Sequence, residues 1–228
     1  MTTRPTQQQR RERTRRALIE AAAEVFAREG FAAARVEEIA ERAHLTTGAL
    51  YAHFQSKQGL FLAVFDEFAA MRVQEVKHSS TDGETGTLTP AAGADQWMGR
   101  LDEAPWRFWL HLEFAHYASR DPELRERFAL STSAVRLAIQ QVIEAHAARN
   151  DLEIPISAQW LATVIRALGM GLSLERLTDP EAVPAEMFGQ AVELLVSLLE
   201  SSHQGALGDQ PASDAQEPGR SSHLAESL

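Results

Sequence analysis

Between residues 46 and 57 the chain reads TTGALYAHFQSK, with polar groups spaced for hydrogen bonding to the surface of another molecule. In a short helix Leu50 and Phe54, four apart, share one side and anchor it inward. Thr47, Tyr51 and His53 are then left to reach outward with two hydroxyls and an imidazole. Thr46 precedes the helix as an N-cap, and Gly48 with Ala49 keep its first turn thin enough for close approach to a partner. Ser56 caps the next helix, and Lys57 stands at that helix's first position. A cation there opposes the helix dipole by roughly 0.3–1 kcal/mol, a conflict resolved by an anion seated between the ammonium and the free N–H groups. A nucleic-acid phosphate is such an anion. The bland alternative is a helical hairpin whose small residues serve packing alone.

The element that must hold this helix lies just before it. In RVEEIAERA, residues 35–43, Val36, Ile39, Ala40 and Ala43 follow the i, i+3, i+4, i+7 pattern of a short amphipathic helix. Two such helices joined through His44 and Leu45 make a helix-turn-helix. An earlier helix over about Arg13–Glu29 places Leu18, Ala22, Val25 and Phe26 on one face, with Gly30 as its C-terminal cap. With Phe54 and Leu60 these side chains build a small three-helix core. A long helix then runs from Ser56 to about Lys77, and its stripe of Leu60, Phe61, Val64, Phe65 and Phe68 is wider than that core can cover. It must also dock on whatever follows.

The run from Thr14 to Phe68, in the pattern AxxxFAxxGFxxxxVxxIAxxAxLTTGALYxHFxSKxxL, resembles the DNA-binding domain of the TetR family of one-component regulators. Carried over by position, the resemblance implies DNA contact by Thr46, Thr47, Gly48, Ala49, Tyr51, His53 and Lys57, with Arg35 on the DNA backbone. Three positions depart from the family pattern. No Ser or Thr caps the helix at Ala34 or Arg35, His44 stands where glycine is usual and must accept a left-handed conformation, and Thr47 replaces a common Lys or Arg.

The net charge of −10 would by itself argue against a nucleic-acid partner. Its distribution reverses that: residues 1–57 carry ten Lys/Arg against seven Asp/Glu, and residues 1–16 carry six Arg against one Glu. A basic end on an acidic body steers DNA to one face. The absence of cysteine excludes disulfides and thiolate metal sites, and suits a reducing compartment. With no apolar leader and no membrane-length apolar run, a cytoplasmic protein without membrane contact is expected.

Four segments organise the chain: a disordered basic arm over 1–11, the DNA-binding domain over 12–72, a helical ligand-binding and dimerisation domain over 73–200, and a disordered tail over 201–228. Residues 79–95 read as a loop, followed by a short helical piece near Gln96–Leu101. Pro105 then starts an aromatic helix in which Trp106, Trp109, Leu110, Glu113, Phe114 and Tyr117 form one stripe. Glu113 is the anomaly, because a carboxylate on a buried face must be bonded, paired or protonated and can mark a binding pocket. Either it borders an apolar effector cavity with Trp106, Trp109, His116 and Tyr117, or it pairs with an arginine such as Arg166. His111 and His116 are five apart, about 140° around a helix, so they diverge and no metal site is expected. No nucleophile elbow, phosphate loop or catalytic cysteine occurs, and neither an enzyme nor a bound cofactor is expected.

Helices beginning at Asp121 or Pro122 and over 157–177 complete the domain with a last one after Pro184. Gly169 and Gly171 suggest close helix contact. The last helix is apolar nearly all round, which points to a homodimer in which the last two helices pair with their copies as a four-helix bundle. The expected protein is all-α, a dimeric repressor released from a near-palindromic DNA operator by a small, mostly apolar effector. The other reading is a helical small-molecule-binding protein or enzyme that keeps the scaffold without operator recognition.

Overall fold

In the computed structural model, which describes residues 6–79 and 89–207, the chain folds into α-helices α1 (Gln7–Ala33), α2 (Val36–Arg42), α3 (Thr47–Phe54), α4 (Lys57–Ser79), α5 (Pro90–Glu103), α6 (Trp106–Ala118), α7 (Pro122–Arg149), α8 (Ala158–Thr178) and α9 (Met187–Leu207). No strand occurs among the described residues, as the all-α reading requires.

Three boundaries differ from those read in the sequence. α1 begins at Gln7, six residues early, because Thr6 and Gln9 form a capping box: the Gln9 N–H donates to Thr6 Oγ1 at 3.2 Å and the Thr6 N–H to Gln9 Oε1 at 2.8 Å. Residues 7–11 are therefore helix rather than disordered arm, and the start of the arm lies outside the described residues. The loop expected over 79–95 is likewise corrected. α5 starts at Pro90, where Thr89 accepts from the Ala92 N–H at 3.2 Å and proline occupies the first turn; residues 80–88 lie outside the described residues. α9 continues to Leu207, beyond the expected tail boundary at 201, and residues 208–228 are not described.

α1, α2 and α3 pack Leu18, Val25, Phe26, Ile39 and Leu50 into a fully buried cluster. Three helices do not close it. Leu60, Phe61 and Val64 of α4 and Leu110 and Phe114 of α6 belong to the same cluster, so the N-terminal domain shares its core with the helices behind it. A second core joins α5, α7, α8 and α9 around Met98, Ile143, Ala162 and Val192. Gly169 of α8 meets the Phe188 ring so closely that a Cβ there would lie 2.7 Å from Cζ, which places this close contact inside one chain; a Cβ on Gly171 would meet nothing within 4 Å.

α1 is interrupted at Gly30, whose φ of 76° and ψ of 162° belong to a region open essentially to glycine alone. The turn between α2 and α3 puts His44 at φ 55°, as the missing glycine demands. Left-handed backbone costs a non-glycine residue roughly 1–2 kcal/mol, part of which glycine's extra freedom in the unfolded chain offsets. His44→Gly should therefore stabilise the protein by roughly 0.5–1 kcal/mol in urea or thermal unfolding. A lower midpoint would reveal a contact of the exposed imidazole that outweighs the backbone strain.

Candidate nucleic-acid interface and internal cavity

α3 is built as its sequence suggests. Thr46 accepts from the Ala49 N–H at 3.1 Å, which leaves its own hydroxyl proton free to donate, and Leu50 and Phe54 turn inward. Tyr51 stays 48% exposed, and Gly48 and Ala52 beside it are open. Thr47 and His53 are half-buried. Arg35 occupies the N-cap of α2 without a side-chain cap, leaving its guanidinium on the surface. Ser56 caps α4 by accepting from the Gly59 N–H at 2.9 Å.

Lys57 has an additional structural job. Its Nζ donates to the Ala32 carbonyl at 3.1 Å and lies 4.9 Å from the centre of the Phe31 ring, tying the start of α4 to the end of α1, and burial lowers its pKa. The first turns of α1 also reach α3. Arg15 lies 5.8 Å from the centre of the Phe54 ring, and burial followed by the charges of Arg11 and Arg15 pushes the His53 pKa down. Arg28 and Arg42, farther along the domain, are paired with Glu29 and Glu38 and with Glu24 respectively. Among these arginines, the unneutralised charge thus gathers beside α3.

Behind this domain a cavity of about 160 Å³ opens between α4, α5, α6, α7 and α8. Its walls are mostly apolar, with Phe65, Phe108, Val135 and Ile165 among them, yet Arg72, Arg100, Arg107 and Arg166 also face it. Glu75 lies 3.4 Å from Arg72, 3.2 Å from Arg100 and 3.7 Å from Arg107. Arg72 is enclosed by protein, its guanidinium carbon 3.4 Å from the centre of the Trp97 ring, and burial lowers its pKa to about 10 despite Glu75, so it stays charged at neutral pH. Burial, then Arg166 and Arg72, hold His111 down at about 4, so its imidazole is neutral. Burial and then Arg136 lower the pKa of Arg166, which has no hydrogen bond or ion pair among the described residues.

Comparison with known proteins finds matches in both the N-terminal and the C-terminal part of the chain. Residues 18–64 match the bacterial regulatory proteins of the tetR family, and residues 97–201 match the C-terminal domain of BetI-type transcriptional repressors. The chain belongs to the TetR family. It is a DNA-binding transcriptional regulator. One relative is the helix-turn-helix transcriptional repressor AcnR of Corynebacterium efficiens, 28% identical over 177 residues that span 73% of this chain and 87% of that protein. The fold is similar to a transcriptional regulator from Pseudomonas aeruginosa (TM-score 0.69, 20% identity, 89% of this chain and 96% of that one). It is also similar to one from Saccharomonospora viridis solved with choline (TM-score 0.62, 18% identity, 80% and 95%). No helix among the described residues is long and apolar enough to cross a membrane.

Within this TetR-family architecture the effector residues expected from the sequence need correction. Of the six, Arg166 alone lines the cavity. Glu113 neither borders the cavity nor pairs with Arg166: its Oε1 accepts the Phe31 N–H at 2.8 Å, just past the Gly30 break. Tyr117 packs on Phe31 and Phe61, with ring centres 4.9 and 5.8 Å away, and Trp106 packs edge-on against Phe68 at 5.5 Å. Trp109 is 43% exposed, and His116 is exposed beside Tyr117. The stripe of α6 singled out in the sequence therefore divides: Trp106, Glu113 and Tyr117 meet the DNA-binding domain, Trp109 faces the surface, and Leu110 and Phe114 join that domain's core and also line the cavity. Arg107, Phe108 and His111, outside that stripe, line the cavity with them. Arg72 and Glu75 carried an equivalent signal, two charges three apart continuing the apolar stripe of α4 beyond Phe68.

Because the folded-state pKa of His111 lies below its unfolded value near 6.5, its contribution to stability is complete above about pH 6.5 and is lost as pH falls toward about 4. His111→Gln should flatten this part of the curve of thermal midpoint against pH. Parallel curves for parent and variant would show that residue 111 titrates alike in both states.

Proposed function

We propose that this regulator is a cytoplasmic dimeric repressor that an organic effector releases from a near-palindromic operator. The observation that carries the reading is the pairing of an exposed, lightly built α3, flanked by the arginines of α1, with a cavity enclosed by helices that pack directly on the same domain. In this reading Thr46, Gly48 and Ala49 bring the backbone against the DNA. Tyr51, Lys57 and Arg35 hold phosphates, and Thr47 and His53 face base edges. Arg11 and Arg15 extend the basic surface. Repression rather than activation is favoured by the likeness to AcnR.

Dimerisation through α8 and α9 is supported by apolar side chains that their own chain leaves uncovered. Trp160 is 56% and Leu194 61% exposed, and Leu174 and Leu198 stand with them on the same two helices. In such a dimer the two α3 helices are expected to enter successive major grooves, about 34–36 Å apart, one turn of duplex. The effector is assigned to the cavity. Choline, held by the Saccharomonospora structure, is a cation, and the Arg166 guanidinium on this wall argues against a cation here.

A gel-shift assay with the DNA upstream of its own gene tests the reading. Tyr51→Phe and Lys57→Ala should weaken binding to specific and non-specific duplexes alike by about tenfold, while Thr47→Ala should change the preferred sequence. Since Lys57 also ties α4 to α1, its thermal midpoint must be measured beside its affinity. Parent-like binding by the Tyr51 and Lys57 variants would remove α3 and the start of α4 from the interface.

A further inference from the structure

We infer that the cavity is a site for a small aryl or alkyl carboxylate, with Arg166 as the group that takes the carboxylate. This deepens the effector half of the proposed function and rests on that reading for the release of DNA.

The charge inventory of the cavity leads there. Four guanidinium groups face it and Glu75 is the one carboxylate among the lining residues, already lying within 4 Å of Arg72, Arg100 and Arg107. No carboxylate lies within ion-pairing distance of Arg166 among the described residues. A half-buried cation without a partner in a mostly apolar wall is a costly arrangement, and a bound anion corrects it. Removing Arg166 would relieve the same cost, so its presence makes most sense as a ligand group. The planar fork of a guanidinium matches the two oxygens of a carboxylate. His111 lines the same cavity and, neutral at physiological pH, can donate one N–H there without adding a competing negative charge.

The rest of the ligand is set by the walls. Phe108, Phe114, Val135, Ile139 and Ile165 present ring edges and branched chains. The volume, about 160 Å³, is close to that of the roughly 150 Å³ engineered apolar cavity that accepts benzene. One aromatic ring, or an alkyl chain of similar bulk, fills it. A quaternary ammonium would meet the guanidinium of Arg166, and a neutral alcohol would leave it unpaired.

The test uses isothermal titration of the full chain, without DNA, against phenylacetate, 3-phenylpropionate, 2-phenylethanol and 2-phenylethylammonium. At least one carboxylate should bind about tenfold or more tightly than the alcohol, and the ammonium more weakly still. Arg166→Met should lose that advantage, and Arg166→Lys should keep part of it. Equal affinity for carboxylate and alcohol, tighter binding of the ammonium, undiminished carboxylate binding by Arg166→Met, or no binding of either carboxylate would each overturn the proposal. The comparison among ligands on the parent stands even if Arg166→Met does not fold. Operator release is read separately in the same ligand series. Arg166-dependent carboxylate binding that leaves operator affinity unchanged would retain the site and sink the effector reading, whereas release by the alcohol or the ammonium alone would do the reverse.

Discussion

The structure depends on one hydrogen bond at a break in the first helix. Gly30 turns α1 out of its course, and the N–H of Phe31, which the interrupted helix leaves without its usual carbonyl, donates to Glu113 of α6 at 2.8 Å. A bond of this kind, to a charged acceptor, contributes roughly 1.5–3 kcal/mol. A larger residue at position 30 would be strained, since its backbone conformation is one side chains rarely adopt and a Cβ there would sit 3.1 Å from the Glu113 carboxylate, which would have to give way. Around the bond the aromatic rings interlock. Phe31 lies 4.3 Å from Phe61, Phe61 stacks on Phe114 at 4.0 Å, and Phe65 joins Phe114 at 4.5 Å and Phe128 at 5.2 Å. The DNA-binding domain, too small to close its own core, is completed by a helix of the other domain.

That arrangement gives α6 two occupations. Glu113 and Tyr117 hold the end of α1, while Phe108 and His111 face the cavity and Phe114 belongs to both. A side chain shared by two packed clusters cannot be displaced from one without disturbing the other, because cores at this density do not deform gradually. Filling the cavity against Phe114 would therefore act on Phe61 and the Gly30 break before it reaches α3. α4 provides a parallel route, with Phe61 and Val64 in the first core and Phe65, Phe68 and Arg72 on the cavity wall. Coupling between such sites is typically about 1–3 kcal/mol, or about 5–150-fold in operator affinity.

The helix-turn-helix was legible because local rules govern it. Thr46 and Ser56 cap by their own hydroxyls and Leu50 and Phe54 are four apart, while the positive φ of His44 was anticipated by the family resemblance, in which glycine is usual at that position. The left-handed Gln55, at φ 62°, gave no comparable signal because no glycine or asparagine marks it. The cavity was not legible for a different reason. Periodicity places residues on one side of a helix without saying which neighbour that side meets. The α6 stripe was real, but its partners are Phe31, Phe61 and Phe68, from a domain distant in sequence. Glu113 was rightly singled out as a carboxylate needing a partner, and that partner proved to be a backbone N–H exposed by a kink. The helical residues 7–11 were missed because Thr6 and Gln9 form a capping box inside a stretch whose composition reads as disordered.

Native-state hydrogen exchange at the Phe31 amide, compared between the parent and Glu113→Ala, tests most directly whether α6 holds the DNA-binding domain. The account predicts that the variant exchanges this amide and those of α2 faster by about tenfold to a hundredfold, while amides in the middle of α8 keep their parental rates. An unchanged rate at Phe31, or the same acceleration at every amide along the chain, would contradict it.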